Sequence, residues 1–211
     1  MSILNKLIEK YYVEQDWQIQ KLNITYLRDC NPDTWKPNSF APDRWNCTRV
    51  LWAPGDRDLI MSCAATTRPG VRAVDRPMNA GGTFSILHNH LHKACWELGK
   101  HVTRSSNQSA LVQCDTIIGT RDSNKDYMIS SDRQFDDAGG VNQHTTNNEA
   151  VTYKPDSIGG YSYGCLVGAY PITHYKTFMP ALKDSGLKLF NTGIIYKDAW
   201  AEFVARQSVI V

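Results

Sequence analysis

The spacing of apolar residues along the chain changes near residue 22. Before that point, apolar side chains recur three and four positions apart, which predicts a helix with Ser2 as its N-cap. The residues in this repeat are Ile3, Leu4, Leu7, Ile8, Tyr11 and Tyr12. After it, the apolar runs are short and lie between turn-rich stretches such as "APGDRD" and "RPGVR", which predicts strands. We therefore predict a helical arm over residues 1–21 and one further domain over residues 22–211.

The second part of the chain alternates between the two kinds of spacing. Strands are predicted in "RVLWA", "LIMSCAATT", "TFSIL", "SALVQCDTIIGT" and "GCLVG". In "PITHYKTFMPALKDSG" the apolar residues fall on one helical face, and Gly186 marks its end. A strand or hairpin in "LKLFNTGIIY" and a short helix in "KDAWAEFVARQ" follow. The fold class predicted from this order is a β-rich α+β domain.

Composition narrows the classes of protein that fit this pattern. A hydrophobic fraction of 42% over 211 residues is enough to form a real core. The formal net charge is +2 and the Lys and Arg residues are scattered, which argues against a nucleic-acid partner. No segment reaches the roughly 18 apolar residues that a membrane span needs. The N-terminus is too polar for a signal peptide, so we expect a protein made in the cytoplasm.

Six cysteines are spread over the chain without a paired motif. They are Cys30, Cys47, Cys63, Cys95, Cys114 and Cys165. In a chain without a secretory signal, cysteines of this kind are expected to be reduced thiols rather than a disulfide framework. The lack of any Cys-x-x-Cys spacing also removes the common structural zinc sites. We predict no cofactor, and the remaining question is whether one of the thiols is reactive.

Three histidines, His88, His90 and His92, alternate in "HNHLH". On a strand these side chains share a face, and Cys95 a little further on is a candidate fourth metal ligand. At about 3.3 Å per residue the triplet spans about 13 Å, so two ligands are feasible and three are strained. Surface or interface histidines explain the triplet better. A zinc-dependent enzyme built on His88 and His90 stays open as a third hypothesis.

Two acidic stretches are weaker candidates for a site. "RDSNKD" begins like a calcium-binding loop, but Tyr127 stands where an EF-hand needs glycine and Arg133 where it needs glutamate. This stretch therefore predicts a polar turn at the end of a hairpin. Asp136 and Asp137 are adjacent in a loop-like stretch, and no spacing argument makes them a glycosidase pair.

The stretch "GGYSYGCLVG" gives Cys165 a surrounding that the other cysteines lack. A free thiol is mostly protonated at neutral pH, so a cysteine nucleophile needs a base or a positive neighbour. His144 lies 21 positions earlier at a predicted strand end, from which it can supply that base. Gly164 permits a tight turn, so the N–H groups of Tyr163, Gly164 and Cys165 can aim at a developing oxyanion.

The order of these motifs resembles the L,D-transpeptidase (YkuD-like) catalytic domain. That family carries a histidine, a loop, and then Ser/Thr-His-Gly-Cys followed by an apolar residue. Here His144 precedes a loop and Ser162-Tyr163-Gly164-Cys165 follows. The match is closer to a divergent phage and bacterial branch with a Ser-x-Gly-Cys motif, in which "AATTRPG", "RPMNAGGT", "ELGKH", "ALVQ", "RDSNKD" and "HYKTFM" also have counterparts. The resemblance covers roughly residues 22–180.

The resemblance implies a mixed β-sandwich or barrel with a few short helices, and a cysteine acyl-enzyme. Cys165 would attack a peptide carbonyl of a peptidoglycan stem, with His144 as the base. The Thr145 carbonyl would orient that histidine. The Ser162–Gly164 turn would hold the oxyanion with main-chain donors. Transfer of the acyl group to water would make the protein a hydrolase, and transfer to an amine a cross-linking transpeptidase.

This chain departs from the family pattern at three positions. Tyr163 replaces the usual histidine before Gly-Cys, Val167 replaces an Arg or Asn, and Gln143 replaces an apolar residue. Together with the missing signal, the motifs predict a phage lytic or tail-associated enzyme acting on the wall from a virion or after lysis. Its expected partners are peptidoglycan stem peptides and virion or tail proteins that bind the N-terminal helix. The alternative is a catalytically silent virion or tail component with the same fold.

Overall fold

A computed structural model describes residues 2–55, 59–103, 106–128, 133–137 and 139–208. The strands are β1 Asn23–Arg28, β2 Cys47–Trp52, β3 Met61–Thr66, β4 Thr83–Ile86, β5 His90–Thr103, β6 Ser106–Gln113, β7 Ile117–Asp122, β8 Gln134–Asp137, β9 Gln143–Thr145, β10 Leu166–Gly168 and β11 Leu189–Tyr196. The helices are α1 Ile3–Glu14, α2 Val71–Asp75, α3 Pro171–Thr173, α4 Met179–Asp184 and α5 Lys197–Ser208, with a π-helical turn at His174–Phe178.

Eight of the strands close into a mixed barrel in the order β1-β11-β5-β6-β9-β10-β3-β2. The pairs β1·β11 and β9·β10 are parallel, and the other barrel pairs are antiparallel. A separate three-stranded sheet in the order β4-β7-β8 lies outside the barrel order. Closing the sheet pairs the strand edges that would otherwise be exposed. The prediction of a β-rich α+β fold is confirmed.

Most predicted elements are present, and the largest difference lies in the middle of the chain. The run "SALVQCDTIIGT" divides at Cys114 into β6, which belongs to the barrel, and β7, which belongs to the small sheet. The predicted helix near the C-terminus is present but contains a π-helical turn between α3 and α4. Gly186 follows α4 with a φ of +63°, as expected of a glycine that stops a helix.

The helix α1 packs against the barrel. Its apolar face is fully buried with side chains from β1, β2 and α5 in one cluster that includes Leu4, Ile8, Tyr11, Tyr12, Leu27, Trp52, Trp200 and Phe203. Tyr12 also bonds Thr25 of β1 through its hydroxyl, at 2.7 Å. Ser2 occupies the N-cap position, but its side chain makes no capping hydrogen bond. The buried face of α1 is therefore used within the domain, and Ile3 and Val13 on the same helix remain exposed.

The barrel interior holds a buried arginine beside the strands of the candidate site. Arg49 on β2 is fully buried, and its guanidinium lies 4.1 Å from the centre of the Phe178 ring. This is cation–π geometry, and the desolvated setting strengthens such a contact. A Cβ atom on Gly168 at the end of β10 would overlap the Arg49 guanidinium. Glycine at this position therefore lets β10 close against Arg49.

The other sequence candidates lie at the edges of this fold. His92 is buried on β5, whereas His88 and His90 are half-buried. In "RDSNKD" the Asp122 carboxylate accepts the N–H groups of Asp126 and Tyr127, at 3.2 and 2.9 Å, which makes it the predicted polar turn. Asp136 is exposed on β8, and the side chain of Asp137 falls outside the described residues. Within the described ranges, no helix is long and apolar enough to cross a membrane.

Candidate functional site

The parallel pairing of β9 and β10 brings the predicted cysteine and histidine together. His144 is the central residue of β9, and its partner across the pair is Val167 of β10. Cys165 is the residue directly before β10, so it comes one residue before Leu166, which pairs with Gln143. The Leu166 N–H also donates to the Asn142 carbonyl at 2.9 Å. Two residues 21 positions apart in sequence thus meet because adjacent strands carry them.

A tight turn before β10 fixes the direction of the cysteine. The Ser162 hydroxyl donates to the Cys165 carbonyl at 2.8 Å and accepts the Gly164 N–H at 3.3 Å. Gly164 has a φ of +122°, a conformation that side chains other than glycine rarely adopt. A Cβ atom there would also stand 3.0 Å from the Phe84 carbonyl oxygen. Glycine is therefore required at this turn.

The three amide groups of this turn differ in whether they already donate a hydrogen bond. The Gly164 N–H is already donated to Ser162, whereas in the described chain the amides of Tyr163 and Cys165 make no hydrogen bond. Of the three donors expected to face an oxyanion, two are open and one is used within the turn. Val167 is fully buried in a cluster with Trp45, so the side chain at this departure from the family pattern faces the interior.

The Cys165 thiol is nearly buried and neutral in the resting state. Its residue is 9% exposed, and Sγ donates to the Gly140 carbonyl oxygen at 3.4 Å. Burial raises the pKa of the thiol to about 11, because a thiolate would lose its hydration there. The structure therefore holds the protonated form of the cysteine, with the proton directed at Gly140.

His144 is buried beside it with one nitrogen in use. Nδ1 lies 2.7 Å from the Thr145 carbonyl oxygen, and a carbonyl only accepts, so the proton is on Nδ1. Nε2 is buried and has no hydrogen-bond partner among the described residues. Burial lowers the pKa of this imidazole to about 3. His144 is therefore a neutral imidazole whose Nε2 lone pair is unoccupied.

The structure adds a residue that sequence reasoning missed, His101 near the end of β5. Its ring stacks on that of His144, with the ring centroids 3.9 Å apart and the planes within 4° of parallel. A nitrogen of each ring and the Cys165 sulfur all lie within 4.8 Å of one another. The sequence signal for this residue was its place in "ELGKH", one of the motifs that carries the family resemblance. A second imidazole, contributed by β5, therefore lies beside Cys165 and His144.

Neighbouring amides fix the tautomer of His101. The Asn142 side-chain oxygen accepts the Gln113 backbone N–H at 3.0 Å, which assigns the other end of that amide as the donor. That Asn142 nitrogen lies 3.0 Å from His101 Nδ1, so Nδ1 accepts and the proton is on Nε2. His101 and His144 are therefore two stacked neutral imidazoles with opposite tautomers.

Two histidines and a cysteine are also common ligands of zinc. Zinc needs a lone pair from each imidazole, but Nδ1 of His101 is bonded to Asn142 and Nε2 carries the proton. The His88 group does not converge either. Among the described residues, the only group of three metal-ligand side chains within reach of one ion is His101, His144 and Cys165. The donor set fits proton transfer better than metal binding.

Two clefts flank this cluster. A polar cleft of about 670 Å³ is lined by Arg72, His101, Gln108, His144, Asn147 and Tyr161, among others. A second cleft of about 310 Å³ is lined by Met78, Phe84, Arg121, Tyr163, Gly164 and Cys165, among others. His144 thus borders one cleft and Cys165 borders the other, so the two side chains lie between two spaces.

Comparison with known proteins does not assign this chain to a class. No family model, no curated protein and no solved structure matches it. The class that the fold and site define is therefore a geometric one. It is a closed eight-stranded mixed barrel with a buried cysteine and two stacked imidazoles where two parallel strands meet.

Proposed function

We propose that this chain is a cysteine-dependent acyl-transfer enzyme of the L,D-transpeptidase type, acting on peptidoglycan stem peptides. The observation that carries the proposal is the unoccupied Nε2 lone pair of His144, held in a nitrogen–sulfur cluster with Cys165. The motif order on which the resemblance rests and a β-rich barrel with short helices are consistent with that type. Hydrolysis and cross-linking remain the two outcomes of one acyl-enzyme.

The reaction begins with transfer of the thiol proton. The thiol turns from the Gly140 carbonyl toward Nε2 of His144, where the S–H bond breaks and an N–H bond forms. The thiolate attacks the peptide carbonyl, and the Tyr163 and Cys165 amides donate to the oxyanion. His144 returns its proton to the leaving amine. Water or an incoming amine then releases the acyl group from sulfur.

The protonation states set when this transfer occurs. Burial raises the pKa of Cys165 to about 11 and lowers that of His144 to about 3, so both groups are neutral in the resting enzyme. A thiolate–imidazolium pair forms only when each charge offsets the desolvation of the other. The thiolate is therefore a minor species in the resting enzyme, and the thiol reacts slowly with small reagents.

Incubation of the purified protein with muropeptides tests the proposal. Mass spectrometry should show shortened or cross-linked stem peptides, and the ratio of the two separates hydrolysis from transpeptidation. The Cys165→Ala variant should be inactive, while Cys95→Ala, which removes another buried thiol, should keep activity. Stem peptides left unchanged by the wild-type protein, as by Cys165→Ala, would contradict the enzyme proposal.

The second candidate function is a silent virion or tail component that keeps the fold. The observation that favours it is the hydrogen bond from Cys165 to Gly140, which directs the thiol proton away from the base. Peptide-resolved labelling with iodoacetamide separates the two functions. In the silent protein, Cys165 would label no faster in the presence of stem peptide analogues than the other buried thiols do.

The place of action belongs to the same proposal. A wall substrate predicts release of the protein on lysis or its transport in a virion. Partners on a virion would have to bind a surface other than the buried face of α1, such as the side carrying Ile3 and Val13, which are 70% and 67% exposed. Copurification with tail proteins that is lost in an Ile3→Ser, Val13→Ser variant would support this surface.

A further inference from the structure

We infer that His101 is a second catalytic imidazole, which donates its Nε2–H to the Cys165 thiolate while His144 holds the thiol proton. The inference rests on the proposed function and adds a residue to its mechanism. It is carried by three geometric observations on the described residues: the stacked rings, the fixed tautomers and the nitrogen–sulfur cluster.

Hydrogen bonding limits which proton His101 can offer. Its Nδ1 accepts from Asn142, whose orientation is set by the Gln113 backbone N–H. The side chain of Gln113 in turn accepts the Val141 N–H at 2.7 Å, so the segment before β9 is bonded twice to the end of β6. Because this chain of hydrogen bonds ends at Nδ1, the Nε2–H is the donor that His101 has left.

The Cys165 thiolate is the group that needs such a donor. The resting thiol donates to Gly140, but a thiolate has no proton to give and requires donors instead. His144 supplies one donor after it has accepted the thiol proton at Nε2. The Asn142 backbone N–H also donates to this sulfur and lowers the pKa of the thiol. Because the anion is nearly buried, a further hydrogen bond from a ring N–H stabilises it. His101 lies in the same cluster and carries an N–H.

The proton balance of this arrangement is simple. The S–H bond of Cys165 breaks and the N–H bond at Nε2 of His144 forms, while His101 keeps both its tautomer and its neutral charge. No oxidant, metal or second proton is needed. The neutral ring of His101 also lies flat against the newly charged ring of His144, an arrangement that favours the cation.

Other charged and titratable groups near the cluster make their contacts independently of His101. Arg49 on β2 acts on His144 and on His174, and it lowers the pKa of both. His174 bonds the Ser109 carbonyl through Nε2 at 2.8 Å. None of these contacts involves His101, but His101 itself lowers the pKa of His144 and accepts the Asn142 side-chain N–H, so its substitution changes those two interactions as well as the donor and the stacked ring.

Three substitutions separate the donor from the ring. His101→Gln keeps an N–H near the position of Nε2 and loses the ring. His101→Asn places its N–H near the position of Nδ1. His101→Phe keeps a stacked ring and loses the donor. His101 is half-buried near a strand end, so the variants are expected to fold, and thermal melting of each one checks this.

The readout is the rate at which iodoacetamide labels Cys165, followed by peptide mass spectrometry from about pH 6 to about pH 10, because thiolate is the reacting species. His101→Phe and His101→Asn should lower the rate about tenfold at each pH, whereas His101→Gln should stay within about threefold of wild type. Equal rates in wild type and His101→Phe, or equal loss in His101→Gln and His101→Phe, would overturn the inference.

A second measurement reads the tautomers directly. Long-range proton–nitrogen NMR spectra should show His144 protonated at Nδ1 and His101 protonated at Nε2. A proton on Nδ1 of His101 would overturn the inference. Both measurements are made without peptidoglycan, so they distinguish the two proposals: inactivity on muropeptides with His101-dependent labelling sinks the substrate assignment alone.

Discussion

The two ends of β5 carry two histidine clusters with opposite properties. At the start of the strand, His92 bonds the Leu87 carbonyl at 3.1 Å, and His90 meets His92 edge to face at 4.7 Å between ring centroids. Near the other end, His101 lies parallel to His144 at 3.9 Å, with the Cys165 sulfur in the same cluster. The residues of the first cluster are neighbours in sequence, whereas those of the second come from β5, β9 and the turn before β10.

The two clusters differ in which side chains they bring together and not in the protonation state of their histidines. Burial lowers the pKa of His92 to about 4 and that of His144 to about 3, so both imidazoles are neutral. His92 uses its Nε2 on a carbonyl five residues away, within its own segment. His144 keeps Nε2 unpaired among the described residues and gains its neighbours through sheet pairing. Of the two arrangements, the second leaves a lone pair available beside the Cys165 thiol.

The largest expected effect comes from removing that lone pair. His144→Asn keeps a donor to the Thr145 carbonyl but lacks Nε2, so muropeptide turnover should fall by about 10² to 10⁴ fold. His92→Gln is the matched variant from the other cluster, and its turnover should stay near that of wild type. The contrast between the clusters fails if the two variants lose activity equally while both remain folded by circular dichroism.

The pH dependence of stability should be shared by the two clusters. Folded His92 and His144 stay neutral down to about pH 4 and about pH 3, whereas in the unfolded chain each takes up a proton below about 6.5. Below pH 6.5 the unfolded state thus binds more protons. The contribution of these histidines to the free energy of unfolding is therefore greatest above pH 6.5. As the pH is lowered below 6.5, the free energy of unfolding falls by about 1.4 kcal/mol per pH unit for each histidine.

Urea unfolding at a series of pH values measures this slope. His92→Gln should reduce the slope by the share of one histidine and should leave the plateau above pH 6.5 lower by a constant amount. A slope that is unchanged in His92→Gln would show that the pKa of His92 is the same in the folded and unfolded states, contrary to this prediction.

A smaller effect is expected from the turn that positions the thiol. Gly164→Ala combines a φ of +122° with a Cβ atom 3.0 Å from the Phe84 carbonyl oxygen, so it should lower the free energy of unfolding by about 1–3 kcal/mol. Gly55→Ala is the control, since Gly55 has a φ of +82° and no atom of the described residues lies within 4 Å of the added Cβ. If Gly55→Ala destabilises the protein as much as Gly164→Ala does, contact with Phe84 is not part of the cost.

The smallest effect is expected from a substitution in the histidine cluster at the start of β5. His90→Ala removes a half-buried imidazole and should change stability by less than about 0.5 kcal/mol, with turnover unchanged. Zinc analysis of wild type and His90→Ala by elemental mass spectrometry completes the test. Stoichiometric zinc in the wild type that is lost in His90→Ala would place a metal centre at the start of β5 and reverse the contrast between the clusters.

Much of the fold follows from local pattern. The helical spacing of α1, the short apolar runs of β2 and β3, and the final strand and helix are all visible in the sequence, although β2 and β3 are buried on both faces and do not alternate. The division of "SALVQCDTIIGT" at Cys114 is not visible. Two consecutive apolar runs have the same sequence pattern whether their strands belong to one sheet or to two different sheets.

The candidate site was predictable only where the chain itself brings the residues into an ordered motif. Such an ordered motif contains His144, the Ser162 turn and Cys165. The Thr145 carbonyl lies beside His144 because Thr145 is the next residue in the chain. His101 depends on the pairing of β5 with β6 and of β6 with β9, which are long-range contacts without a local signature. The bond from the thiol to Gly140 likewise depends on the approach to β9 and not on the motif.

The parallel pairing of β9 and β10 has a consequence for how this protein can vary. Parallel neighbours need a return connection, so residues 146–165 run out from His144 and come back to Cys165. Lengthening such a connection costs little free energy and leaves the register of its two ends unchanged. Segments of different length and composition can therefore be exchanged over residues 146–161, with His144, the Ser162–Gly164 turn and Cys165 kept and the wall of the polar cleft replaced.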